Sequence, residues 1–199
     1  KRIGKYIGAV FLAAALLAVS ALSVFADGSA GEDVSVGLYL LTAPLVLPEP
    51  DIQSFRQLMA EAREYFDYIF MDSPAGLGDG FQLAMAAADR VIVVSATDPA
   101  ALRDAQRTVA ELLPQVSEIH LVMNRVQPKL IRKLRTSIDE AMDTAGLPLL
   151  GIVPEDKQVM LAAGQGLPLV LYAHKDAARA YLNIAKRLMG AKVPLLRIH

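Results

Sequence analysis

From Val34 onward the sequence alternates strictly between short apolar runs and longer stretches whose apolar residues recur at helical spacing. "VSVGLYLLTAP" (34–44) reads as a strand, and Pro44, Pro48 and Pro50 break the segment after it. Ile52, Phe55, Leu58, Met59, Ala62 and Phe66 then return every three or four residues, as on one face of a helix. "DYIFMD" (67–72) is a continuous apolar strand of the kind buried on both faces of a parallel sheet. Asp79 caps a short helix through Ala88, and "RVIVVSA" is the next strand. Pro99 sits in the first turn of a helix that carries Leu102, Ala105, Val109 and Leu112 on one face. "EIHLVMN" is a strand, and the stripe from Leu130 to Ala145 is a helix stopped by Gly146. "PLLGIVP" is a strand, Glu155 to Gly164 a short helix, "PLVLY" a short strand or sheet edge, and His174 to Met189 the last long helix. This order predicts an α/β fold, a mainly parallel sheet with helices on both faces. Ligands of such sheets bind beyond the carboxyl ends of the strands. The segments to watch are therefore Asp72–Gly80, Ser95–Pro99, Asn124–Pro128 and Val153–Asp156.

The first 33 residues form a separate, apolar segment. Lys1, Arg2 and Lys5 lead into 21 uncharged residues, Tyr6 to Ala26. That run is long enough to cross a bilayer. It also has the layout of a secretory signal, with Val24-Phe25-Ala26 as a small-residue cleavage pattern. A third reading is a buried helix from Gly8 to Ala18 followed by a buried strand from Ala21 to Ala26, and periodicity does not separate the three. The expected organisation is thus 1–33 as this segment, 34–190 as one domain and 191–199 as a tail.

Several classes of function fall away on composition. The absence of cysteine excludes a disulfide framework, a thiolate metal site and a cysteine nucleophile. His120, His174 and His199 are far apart and show no metal-ligand spacing. A net charge of −1 argues against a polyanion-binding chain, so nucleic acid is not an expected partner. Arg125, Lys129, Arg132, Lys133 and Arg135 do cluster; they read as a solvated helix face, with acidic lipid or nucleic acid as the salt-sensitive alternative.

The strand ends carry the chemistry. Asp72 closes a strand where a carboxylate can hold Mg²⁺ directly or through its water shell. Pro74 fixes a backbone angle, and Gly76 allows main-chain N–H groups to approach a ligand closely. A nucleoside triphosphatase needs such an acid, because the metal neutralises charge on the transferred phosphoryl group. An equally simple reading makes D-S-P a turn with Asp72 as its cap. A rival uses Gly76, Gly78 and Asp98 as a dinucleotide fingerprint, although Phe81 stands where the third glycine belongs. Ser73 is no nucleophile elbow, since it lies between Asp72 and Pro74 rather than in G-x-S-x-G. Asn124 can read the donor–acceptor edge of a base and Arg125 can stack on a ring; as plain structure they are a loop cap and a solvated cation. The C-terminal "YLNIAKRLMGAKVPLLRIH" mixes apolar and basic residues as a membrane-surface helix does, and its first half equally suits a core-packing helix.

Taken in order, "GLYLLTAP", "FDYIFMDSPAGLGDGF", "ADRVIVVSATDPAALRDAQRT", "LVMNRVQPKL" and "GLPLLGIVPED" resemble the MinD/ParA group of deviant-Walker ATPases, most closely its septum-site-determining MinD branch. The resemblance runs from about Val36 to Met189. It implies a P-loop NTPase-like fold, with ATP and Mg²⁺ as ligands. It assigns Asp72 to the magnesium-bound water, Ser73 to Gly76 to a switch sensing the γ-phosphate, and Asn124 and Arg125 to the adenine. It assigns Pro154, Glu155 and Asp156 to a loop over the base, and Arg103 and Asp104 to dimer and partner surfaces. It further implies an ATP-dependent homodimer, a division-inhibitor protein as partner, and a cytoplasmic location peripheral to the inner membrane. Anchoring through the N-terminal apolar segment is the alternative location.

The departure is at the front. Members of the group begin with a strand and a glycine- and lysine-rich loop that cradles the phosphates. Here the corresponding stretch is "RIGKYI", with Gly4 and Lys5 in register, "GAVFLAAAL" resembling the helix that follows, and Tyr6 and Ile7 in place of Mg²⁺-holding hydroxyls. The expectation is an N-terminal part truncated or replaced, and weak or absent ATP hydrolysis. Three further functions stay open: a non-catalytic, membrane-attached module of the same fold, a dinucleotide-dependent enzyme, and a DNA-partitioning role that the near-neutral charge disfavours.

Overall fold

The computed structural model describes residues 5–11, 51–73, 76–127 and 146–196. Five strands, β1 (Lys5–Phe11), β2 (Tyr68–Ser73), β3 (Arg90–Ser95), β4 (Glu118–Val126) and β5 (Leu149–Pro154), form one parallel sheet in the order β2-β1-β3-β4-β5. The helices are α1 (Ile52–Ala62), α2 (Asp79–Ala87), α3 (Pro99–Leu112), α4 (Lys157–Gly164), α5 (Leu169–Tyr172) and α6 (Asp176–Leu188). The expected strand over 34–44 and helix over 130–145 lie outside the described residues.

Side chains alternate across a strand, so each strand feeds two cores. On one face Met71, Val91, Val93, Leu121 and Met123 meet Met59 of α1, Phe81 and Met85 of α2, and Val109 and Leu112 of α3. On the other, Ile92, Val122 and Leu150 meet Ala177, Ala180 and Ile184 of α6. Phe81 is fully buried, and sealing such a side chain from water is worth about 1.5–3 kcal/mol. The steps β2 to β3 and β3 to β4 run the same way across the sheet with their helices on one face, as a single crossover hand requires. Gly151 of β5 is what lets α6 come close: a Cβ there would stand 2.3 Å from Ile184 Cγ1.

Three helix starts are set by side-chain caps. Asp51 accepts from the Gln53 amide at 3.0 Å, Asp98 from the Ala100 and Ala101 amides at 3.2 and 3.0 Å, and Asp156 from the Gln158 amide at 2.9 Å. Asp79 is different from expectation: it lies in the first turn of α2, and Gly78 holds the N-cap position without a side-chain bond.

Three expectations are corrected. Gly8 to Phe11 are not helical; they belong to β1, which pairs with β2 on one side and β3 on the other. Tyr6, Ile7, Val10 and Phe11 are strong strand formers, and a central position satisfies the backbone on both sides. The same finding removes "GAVF" as the start of a helix after a phosphate loop, and removes Tyr6–Phe11 from a membrane-spanning helix. The remainder of the Tyr6–Ala26 run lies outside the described residues. Among the described residues no helix is long and apolar enough to cross a membrane.

The second correction concerns β2, expected to be buried on both faces. Tyr68 is 40% and Phe70 63% exposed, whereas Met71 and Ser73 are buried. β2 is the edge of the described sheet, and among the described residues only α1 and α2 cover it, on one side. The third is "PLVLY", which is the helical turn α5: the Pro168 carbonyl accepts from the Leu171 amide at 3.0 Å and the Tyr172 amide at 3.2 Å.

Candidate functional site

A parallel sheet brings all strand carboxyl ends to one edge, so the ends of β2, β3, β4 and β5 share it. Two of the expected pairs are joined directly there. Arg125 Nη2 lies 3.5 Å from Glu155 Oε1, and the Glu155 amide donates to the Val126 carbonyl at 2.8 Å. The Asn124 carboxamide oxygen accepts from the Arg125 amide at 2.9 Å. Between Met123 and Val126 the pairing of β4 with β5 slips in register, and Arg125 takes a φ of 55°. A left-handed conformation at a non-glycine residue costs on the order of 1 kcal/mol and marks a backbone held by its surroundings. Asn124 and Arg125 are left out of the pairing with β5 between Met123 and Val126. Nothing in the sequence announced that backbone state; Asn124, the residue type that tolerates it best, is its neighbour.

Asp156 braces the backbone on both sides of this loop. One carboxylate oxygen caps α4 through Gln158, and the other accepts from the Ala177 amide at 3.4 Å, tying the end of β5 to the start of α6. Pro154 is buried and Glu155 exposed, so the loop presents Glu155 and its backbone.

At the other end of this edge Asp72 is exposed and Ser73 is 3% exposed. The two side chains leave β2 on opposite faces, so they do not meet one ligand from the same side. Gly76 has a φ of 95° with open space where a Cβ would stand. It thus supplies backbone that a ligand can approach. β1 lies beside β2 in register, with Ala9 opposite Asp72 and Val10 opposite Ser73. Among the described residues no three acidic or histidine side chains converge as a metal cage. A Mg²⁺ site built from one carboxylate, water and phosphate oxygens needs only Asp72 from this set.

Arg103 and Asp104 lie exposed in the second turn of α3, away from its buried face of Ala105, Val109 and Leu112. Asp98, the acid of the dinucleotide reading, has its Oδ1 engaged by two amides of α3. It also follows β3, which β1 separates from β2. The two strands are then about 10 Å apart at 4.8 Å per step, and the fingerprint needs neighbours.

The sequence and the fold have close counterparts. The septum site-determining protein MinD of Bacillus subtilis is 35% identical over 164 residues, which are 79% of this chain and 61% of that protein. The MinD cell division protein of Aquifex aeolicus superposes with a TM-score of 0.69 at 30% identity, over 76% of this chain and 66% of that one. The chain belongs to the MinD/ParA family. The Aquifex protein is also known in a MinC:MinD complex, matched at 29% identity and a TM-score of 0.69 over 75% of this chain and 63% of that one. MinD of Pyrococcus horikoshii, solved with Mg-ADP, shares the fold at a TM-score of 0.62 and 22% identity, over 96% of this chain and 88% of that one. No family model matches the chain. It spans between 54% and 61% of the length of five curated MinD relatives.

Proposed function

We propose that this chain is a MinD-type module of division-site placement that holds the adenine end of a nucleotide and turns ATP over weakly or not at all. The residues fit the two ends of the ligand unequally. Asn124, and Arg125 braced by Glu155, supply a carboxamide and a guanidinium for a purine. Asp72 would order the water shell of Mg²⁺, and the metal when bound neutralises phosphate charge.

The phosphate end does not fit, and one observation carries this. β1 ends beside Asp72 and Ser73, and the chain leaving it, Leu12 to Ala26, has no glycine, lysine or arginine. The next cation after Lys5 is Arg56. A triphosphate needs a run of backbone amides and a lysine close to it. We derive no hydrolytic step from these residues.

The relatives supply the rest of the reading. An exposed Arg103–Asp104 surface on α3 is the proposed contact for a second copy and for a MinC-type division inhibitor. Location at the inner membrane surface, from the cytoplasmic side, is carried over from the family resemblance. The lack of cations after β1 favours, as the second reading, an interaction module that needs no nucleotide at all. A thermal-shift series with AMP, ATP and NAD decides. The proposal expects AMP and ATP to raise the melting temperature by similar small amounts, with or without Mg²⁺. A much larger, Mg²⁺-dependent shift with ATP overturns it, and no shift with any nucleotide leaves the interaction module.

A further inference from the structure

The end of the sheet remote from the candidate site holds a cluster that the proposed function does not use. Beneath the chain that follows α6 lies an open cavity of about 510 Å³, lined by His120, Leu149, Arg187 and Lys192 among others. That following chain, Gly190 to Leu196, is a strap. It begins with a Schellman turn: the Ala191 amide donates to the Lys186 carbonyl and the Gly190 amide to the Arg187 carbonyl, both at 2.9 Å, with Gly190 at a φ of 86°. It is then pinned by one side chain. Arg187 donates from Nη1 to the Val193 carbonyl at 2.9 Å and from Nη2 to the Leu149 carbonyl at 3.0 Å, joining strap, α6 and β5. Val193 and Leu196 are half-buried beneath this clamp.

The cations of this region look at first like an anion site, but the two guanidiniums are already engaged. Arg90 donates from Nε to Glu118 at 2.6 Å and from Nη1 to the Leu188 carbonyl at 3.0 Å, and Arg187 is spent on its two carbonyls. The exception is His120. Its Nδ1 is buried without a hydrogen-bond partner, and its Nε2 stands 3.9 Å from Glu118 Oε1.

We propose that His120 is the trigger of an acid-released latch that holds the strap Gly190–Leu196 across β5. Among the described residues the charged groups around it are Glu118 on its own strand, Arg90 on β3, Arg187 on α6 and Lys192 on the strap. Three of these four are cations, so a proton on the imidazole adds positive charge to surroundings in which Glu118 is the one carboxylate among them. It also creates a buried N–H with no acceptor, which is costly where a neutral ring nitrogen is tolerated. Burial, opposed by Glu118 and reinforced by Arg90 and Arg187, holds the His120 pKa below the ordinary histidine value. The sign follows from linkage. The open strap solvates the ring and returns it toward its ordinary value, so the open form binds the proton more tightly. Stability of the closed strap is complete above the ordinary histidine pKa and is lost as pH falls through that value toward the lowered one.

Hydrogen exchange of the Ala191 and Val193 amides tests this in the full chain, corrected for the intrinsic pH dependence of exchange. Between pH 7.5 and 5.5 the wild type should lose protection several-fold at these amides while the α3 amides keep theirs. His120→Gln, which keeps a polar side chain but cannot take up a proton, should abolish the change; His174 and His199 remain in both proteins as internal controls. Equal losses in both proteins, or no loss in the wild type, overturn the proposal. Should His120→Gln not fold, the wild-type His120 ring titration followed by NMR decides instead: a pKa at or above the ordinary histidine value refutes the latch.

Discussion

Gly151→Ala tests the contact that places α6 against the sheet. The new methyl carbon would sit 2.3 Å from Ile184 Cγ1 and 2.7 Å from Cδ1, against an ordinary carbon–carbon contact of about 3.5–4.0 Å. The clash is with the Cγ1–Cδ1 arm of a β-branched side chain that is 9% exposed, and in a helix such a side chain has one strongly preferred χ1 rotamer. Ile184 must leave its rotamer or α6 must retreat, and overpacking of this kind costs about 1–3 kcal/mol. Taking about 2 kcal/mol and a urea slope of about 2 kcal/mol per molar, the midpoint falls by about 1 M. Urea unfolding followed by circular dichroism reads this directly. Ile184→Ala alone should cost about 2–4 kcal/mol through the cavity it leaves. The double variant should be better than the sum by about 1 kcal/mol or more, because the added methyl occupies part of that cavity. A midpoint within about 0.2 M of wild type for Gly151→Ala, or a strictly additive double variant, refutes the close approach of β5 and α6.

Arg125→Gly should raise the melting temperature, since glycine takes a φ of 55° without the cost of about 1 kcal/mol, while weakening any adenine nucleotide shift. Asp98→Ala removes the cap of α3 and should cost about 1 kcal/mol in urea unfolding, with Asp98→Ser recovering most of it. Gly190→Ala forces a side chain into a φ of 86° and should speed amide exchange across the strap more than it lowers overall stability, a difference that residue-resolved exchange measures.

Much of the fold could be read from residue order, because the signals were periodic. The α3 stripe of Ala105, Val109 and Leu112 is buried as its spacing requires, and the apolar runs at 90–95, 118–126 and 149–154 are strands. Where the signal was composition alone, reading failed. Tyr6 to Phe11 are apolar in a way that suits a span, a signal, a helix or a strand, and only pairing with β2 and β3 selects the strand. "DYIFMD" shows the converse limit: its residues do not reveal that it stands at the edge of the described sheet, which exposes Phe70. At the site, the strand ends could be named from the sequence, but their mutual contacts could not. Asn124, Arg125 and Glu155 meet, Asp156 secures two helices, and Asp98 caps a third. None of these distinctions is periodic; each depends on which donor lies within reach of a side-chain oxygen.

We propose a family site in which Asn124, Arg125 and Glu155 hold the base and phosphate chemistry is weak or absent. Isothermal titration of the chain with AMP and with ATP, each with and without Mg²⁺, and phosphate release measured on the same samples, addresses it most directly. The account predicts weak binding of similar strength for both nucleotides, independent of Mg²⁺, with no phosphate release above background. Micromolar, Mg²⁺-dependent affinity for ATP accompanied by turnover would contradict it.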